Sequence, residues 1–136
     1  MQDQHPERCV LLIAERDPSV RELQRHFLEQ AGYTLDFADD GQAALDRARE
    51  ARPSLIVPEI LIPKLDGLAL CRRLKEDPLT REIPVIVFSI LAAAARAEEA
   101  GASAFLRKPF VETAFLGKVR ELIAAQPIGA REEKWA

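Results

Sequence analysis

Six side chains stand out because each follows or ends a short apolar run. Glu15, Arg16 and Asp17 come after Cys9 to Ala14, and Glu59 comes after Leu55 to Val57. Ser89 ends the run from Pro84, and Lys108 follows Ala102 to Leu106. A carboxylate is a hard-oxygen ligand for a divalent cation, and a workable nucleophile when its charge is compensated. A hydroxyl and an ammonium together stabilise an anionic group. Brought to one place, these residue types suit the binding or transfer of a charged group.

Bringing them together requires a particular fold. The apolar runs are short, continuous and partly β-branched, as strands buried on both faces are. Five are read as strands: Cys9 to Ala14, Tyr33 to Ala38, Leu55 to Val57, Pro84 to Ser89 and Ala102 to Leu106. Helical segments alternate with them. Asp17-Pro18-Ser19 opens the first, which Gly32 stops. The others run over Ala43 to Ala51, Leu68 to Glu76, Ala92 to Ala100 and Val111 to Ala125. Strand–helix alternation with short connections predicts an α/β fold with a doubly wound, five-stranded parallel sheet and five helices. Such sheets gather functional residues beyond the carboxyl ends of their strands. The six side chains fall there.

The 136 residues suffice for one domain. We expect a polar lead over residues 1–8, the domain over 9–125 and a flexible tail over 126–136, with Trp135 incidental. The net charge of −3 gives no global attraction to nucleic acid or anionic membrane. Arg72, Arg73 and Lys75 are read as a solvated helix face. Cys9 and Cys71 sit in apolar patterns and read as small buried hydrophobes in a reducing compartment. His5 and His26 have no ligand-like spacing, so a zinc site is not expected. No apolar run approaches the ~20 residues needed to span a bilayer, and no signal segment opens the chain. A cytoplasmic location is the expectation.

Several stretches together resemble the receiver domain of two-component response regulators. They are LLIAERDP (11–18), ADDGQAAL (38–45), PSLIVPEILIPKLDG (53–67), IPVIVFS (83–89) and AGASAFLRKPF (100–110). The resemblance runs from about Val10 to Ala125 and implies the flavodoxin-like sheet order 2-1-3-4-5. It also implies roles. An acidic pair after the first strand and an aspartate after the third would bind Mg²⁺. That aspartate would take a phosphoryl group from a histidine kinase. Ser89 and Lys108 match the family's phosphoryl-contact positions, and Phe105 falls at its switch aromatic. Asp66 would cap the next helix, and Gly67 would allow the turn before it.

The pattern breaks at its centre. Glu59 holds the phosphoacceptor position, a residue longer than aspartate by one bond, ~1.5 Å. Glu15 and Arg16 hold the acidic pair, and Asp17 falls one residue beyond it. Arginine stays protonated and repels a divalent metal. We expect Arg16 to pair with Glu59 in place of the metal, with Lys108 as a second contact. Mg²⁺ binding would then be lost or weak, and no other cofactor is expected. Ile90 either shields the pocket or turns outward.

These departures imply an atypical receiver: not an enzyme, but a protein-interaction module without conventional aspartyl phosphorylation. Its partners would be signalling proteins, a histidine kinase or a downstream effector, with no direct contact to nucleic acid or membrane. Ala92 to Arg96, Phe105 to Lys108 and the exposed side of Val111 to Ala125 make up the family's output face, through which a homodimer could also form. The alternative is a phosphotransfer-competent receiver with an adjusted pocket using Glu59 or Asp17. A flavin or nucleotide binder is disfavoured, because no Gly-rich phosphate loop follows any strand.

Overall fold

The computed structural model describes residues 9–126. His5 and Trp135 lie outside the described residues. Gln126, where the flexible tail was expected to begin, donates its side-chain amide to the Ser54 carbonyl at 2.7 Å.

Ten elements alternate: β1 (Val10–Ala14), α1 (Pro18–Gln30), β2 (Thr34–Ala38), α2 (Gly41–Ala51), β3 (Leu55–Pro58), α3 (Gly67–Glu76), β4 (Ile86–Ser89), α4 (Ala94–Glu99), β5 (Ala104–Arg107) and α5 (Glu112–Ala124). Asp17 caps α1 through the Ser19 N–H at 2.9 Å, with Pro18 at the first helical position. Asp40 caps α2, and Asp66 caps α3. Gly32 and Gly101 take left-handed φ values of 99° and 98° just past α1 and α4. The six residues of α4 have no side-chain cap.

Every strand pairing is parallel, but the sheet is not one continuous five-stranded ladder. It divides into β2-β1-β3 and β4-β5, joined by an isolated bridge between Ile56 and Val85. The reason is local. The Glu59 N–H donates back to Ala14 in β1, whereas the Ile56 N–H donates across to Pro84. Alternation then puts Pro58 where the next donor toward β4 belongs, and proline has no N–H.

Helices cover both faces. Leu11, Ile13, Val57 and Phe88 point to the α1–α5 side with Leu28, Phe115 and Val119. Leu12, Ile56 and Val87 point to the other side with Leu45, Leu74 and Ala97. Strands buried on both faces explain the continuous apolar runs. Cys9 and Cys71 are buried and not joined in a disulfide, and His26 is exposed with its ring edge against Phe27. The basic run on α3 is not one solvated face. Arg72 and Arg73 are exposed, but Lys75 turns in and donates to the Arg81 and Ile83 carbonyls at 3.0 and 2.6 Å.

Gln24 of α1 is fully buried on the apolar layer's helix, and neither its amide nitrogen nor its oxygen has a partner among the described residues. Burying such a group is costly. Gln24→Leu should therefore raise stability by about 1–3 kcal/mol. Urea unfolding should show a higher midpoint with an unchanged slope.

Candidate functional site

The carboxyl ends of β1, β3, β4 and β5 converge on one pocket. Glu15 is the first residue past β1, and its N–H donates to the carbonyl of Ala38, the last residue of β2, at 3.3 Å. The Arg21 side chain donates to the Glu15 carbonyl and, at 3.2 Å, to the Ala38 carbonyl, fixing this corner. Glu59 is the first residue past β3. Ser89 ends β4, and its carbonyl accepts from the Lys108 N–H at 2.8 Å. Gly67 closes the loop beneath. A Cβ there would lie 2.4 Å from the Glu59 carbonyl oxygen, so glycine is required by close approach. The left-handed residue of that loop is Lys64, with φ 71°.

The Lys108 ammonium lies between two carboxylates. Its Nζ is 2.9 Å from Glu59 Oε1 and 3.1 Å from Glu15 Oε1. Glu59 and Glu15 are buried, at 6% and 4% side-chain exposure, and Lys108 is largely covered at 11%, so the ion cluster is mostly shielded from solvent. Phe88 lies below, its ring centroid 5.6 Å from Nζ. The other Glu59 oxygen accepts from the Ser89 hydroxyl and from the N–H groups of Ile60 and Leu61 at 2.5 and 3.2 Å. Glu15 Oε2 accepts from the Asp17 N–H at 3.1 Å. The Ser89 oxygen in turn accepts from the Leu91 N–H.

Four of the expected positions, Glu15, Glu59, Ser89 and Lys108, thus meet. Arg16 does not join them. It is exposed and has no ion pair with Glu59. The chain alternates past β1, turning Glu15 inward and Arg16 outward. Lys108, expected as the second contact, takes the place expected of Arg16. Asp17 is exposed, its carboxylate spent on capping α1. Ile90 is 54% exposed and turns outward. Phe105 is half-buried against the core on the α2–α3–α4 side. The Glu15–Lys108 contact and the Pro58 gap escaped the sequence reading. The gap had a visible signal in a proline one residue before Glu59.

The donor set does not fit Mg²⁺. Hard divalent cations take oxygen ligands in a near-octahedral shell. Here an ammonium stands between the two carboxylates, and among the described residues no group of three or more His, Cys, Asp or Glu side chains could hold a metal ion.

The two carboxylates are held unequally. Burial pushes Glu15 up, the Asp17 N–H and Lys108 offset only part of this, and the neighbouring Glu59 charge adds to the rise. Burial acts on Glu59 too, but hydrogen bonds from Ser89, Lys108 and Leu61 outweigh it and hold the carboxyl below its ordinary value. For Lys108, burial is outweighed by Glu59 and Glu15, which hold the ammonium above its ordinary value.

Stability follows by linkage. The contribution of Glu59 is present above its ordinary value of 4.5 and is lost as pH falls through its lower folded value. For Glu15 the sign reverses: its contribution is full below 4.5 and is lost as pH rises through its higher folded value. Lys108→Met strands two buried carboxylates and should lower stability by about 3–5 kcal/mol at neutral pH. That deficit should shrink as acid protonates them. Glu15→Gln should instead stabilise at neutral pH, with the gain vanishing in acid. Urea unfolding between about pH 3 and pH 8 reads both signs.

Comparisons with known proteins show the family. The family model for the response regulator receiver domain matches residues 11–120. The chain is 34% identical over 116 residues to the DNA-binding dual master transcriptional regulator RpaA of Synechocystis, covering 83% of this chain and 48% of RpaA. It is 34% identical over 116 residues to the response regulator PleD of Caulobacter vibrioides, covering 83% of this chain and 25% of PleD. It is therefore similar to about half or less of the length of these curated relatives. Among solved structures, the receiver domain of a signal transduction histidine kinase from Syntrophus aciditrophicus superposes with a TM-score of 0.80 at 36% identity, covering 85% of this chain and 90% of that one. Receiver domains are signalling modules that interact with histidine kinases and effectors. No helix among the described residues is long and apolar enough to cross a membrane. The parallel α/β architecture, the convergent acidic–hydroxyl–lysine pocket and these matches place the chain in the response-regulator receiver-domain family.

Proposed function

We propose that this receiver is a protein-interaction module whose pocket is held by its own side chains rather than by Mg²⁺ and a transferred phosphoryl group. One observation carries the reading: Glu59 engages both Ser89 and Lys108. Those are the positions at which the family resemblance implies phosphoryl contacts. The extra methylene of glutamate extends the carboxylate by ~1.5 Å toward them. It presents a charged acceptor to both groups with no phosphoryl donor involved.

Three further features favour it. The Lys108 ammonium offsets one of the two carboxylate charges where a metal charge would be needed. Arg16, exposed one residue past Glu15, adds a positive charge that opposes a divalent cation. A displaced carboxylate is also a poor in-line nucleophile, since errors of about 1 Å can slow such steps ~100-fold. Phosphorylation then does not gate the conformation. The partner is a signalling protein, a histidine kinase or an effector, meeting the α4–β5–α5 face, which also serves as the homodimer surface. The chain itself contacts neither nucleic acid nor membrane, and it works in the cytoplasm.

Intact mass after treatment with acetyl phosphate and Mg²⁺ tests this. The wild-type chain and Glu59→Asp should stay unlabelled, and Arg16→Asp/Glu59→Asp should gain one phosphoryl group. Mg²⁺-dependent labelling of the wild type would establish a phosphotransfer-competent receiver instead.

A further inference from the structure

We infer that the Glu59 side chain is a releasable clasp across a seam in the sheet, holding the β4–β5 half against the β2–β1–β3 half. The inference rests on backbone hydrogen bonding and holds whether or not a phosphoryl group ever reaches Glu59.

The seam comes from the strand register. On β3 the odd-numbered N–H groups face β1, as Glu59 shows by donating to Ala14, and the even-numbered ones face β4, as Ile56 shows by donating to Pro84. On β4 the odd-numbered carbonyls face β5, since Val85 accepts from Ala104 and Ser89 from Lys108. The Ile86 carbonyl therefore faces β3. Its partner in register is Pro58, which has no N–H to give. The next N–H on that side belongs to Ile60, and it donates to Glu59 Oε2 at 2.5 Å. Past the Ile56–Val85 bridge, the ladder bond that Pro58 would donate is missing, and among the described residues no further bridge joins the two halves.

That side chain spans the gap. Glu59 Oε2 takes the Ile60 and Leu61 N–H groups on its own side and the Ser89 hydroxyl at the end of β4. Glu59 Oε1 meets Lys108 just past β5, and Lys108 reaches on to Glu15 past β1. One carboxylate thus ties β3 to both strands of the other half. The contacts are charge-assisted and shielded from solvent, so they are strong while made, and losing them leaves the seam with the Ile56–Val85 bridge but without the bond Pro58 cannot donate. With the clasp gone, β4 and β5 can open as a unit.

Hydrogen–deuterium exchange on the full 136-residue chain tests this, with Glu59→Ala and Ser89→Ala each made in the native and the Pro58→Ala backgrounds. Pro58→Ala supplies the missing N–H toward Ile86. In the native background, Glu59→Ala should speed exchange across Ile86–Ser89 and Ala104–Arg107 by about tenfold or more, and across Val10–Ala14 and Thr34–Ala38 by less than about threefold. Ser89→Ala should give the same pattern at smaller amplitude, because Lys108 remains. With Pro58→Ala, either step should change β4–β5 exchange by less than about threefold. Uniform acceleration over all five strands, or equal acceleration in the two backgrounds, would overturn the clasp. If Glu59→Ala does not fold, the Ser89→Ala pair decides between the same two results.

Discussion

A single ammonium shared by two buried carboxylates is the constraint on which the pocket depends. Two carboxylates confined together repel, and each resists leaving water. The Lys108 charge offsets one of them, and neutral donors hold the remainder: the Ser89 hydroxyl and three backbone N–H groups. The donors are not shared equally. Glu59 has three of its own besides Lys108, and Glu15 has one, so burial wins at Glu15 and loses at Glu59. Because these groups sit at the ends of β1, β3, β4 and β5, their electrostatics and the closure of the sheet are one problem.

Glutamate at position 59 changes what the scaffold does more than what it is. The extra methylene carries the carboxylate into contact with Ser89 and Lys108, so the pocket's polar groups satisfy one another. A buried network with its members paired is rigid and specifying, and a half-paired one is costly. This view accounts for a serine, a lysine and an acidic residue standing together around a centre that does not suit a divalent cation. It also explains why Pro58 is tolerated beside β4: the side chain following it does part of the work of the missing ladder bond.

Much of this was legible in the sequence. Continuous apolar runs gave away strands buried on both faces, and Asp17 and Asp66 marked helix starts as their capping chemistry demands. The strand ends pointed to Glu15, Glu59, Ser89 and Lys108. The Arg16–Glu59 pair was misread because charge complementarity was weighed without direction. Past β1 the chain alternates, and the arginine faces solvent while the glutamate before it faces in. The break between β3 and β4 needed the register, which says that the proline's absent N–H faces β4 rather than β1. Gln24 was hidden by helical periodicity, since a polar residue on an inward face differs from its neighbours only once the packing is known.

The central claim is that the donors around Glu59 hold its carboxyl below the ordinary value, while burial holds Glu15 above it despite Lys108. Side-chain carboxyl chemical shifts of both residues, followed by NMR through a pH titration of the wild-type chain with and without Mg²⁺, test it most directly. The account predicts that Glu59 titrates below the ordinary glutamate value, that Glu15 titrates above it, and that Mg²⁺ moves neither. Two ordinary titrations, or a Mg²⁺-dependent drop in both, would contradict it.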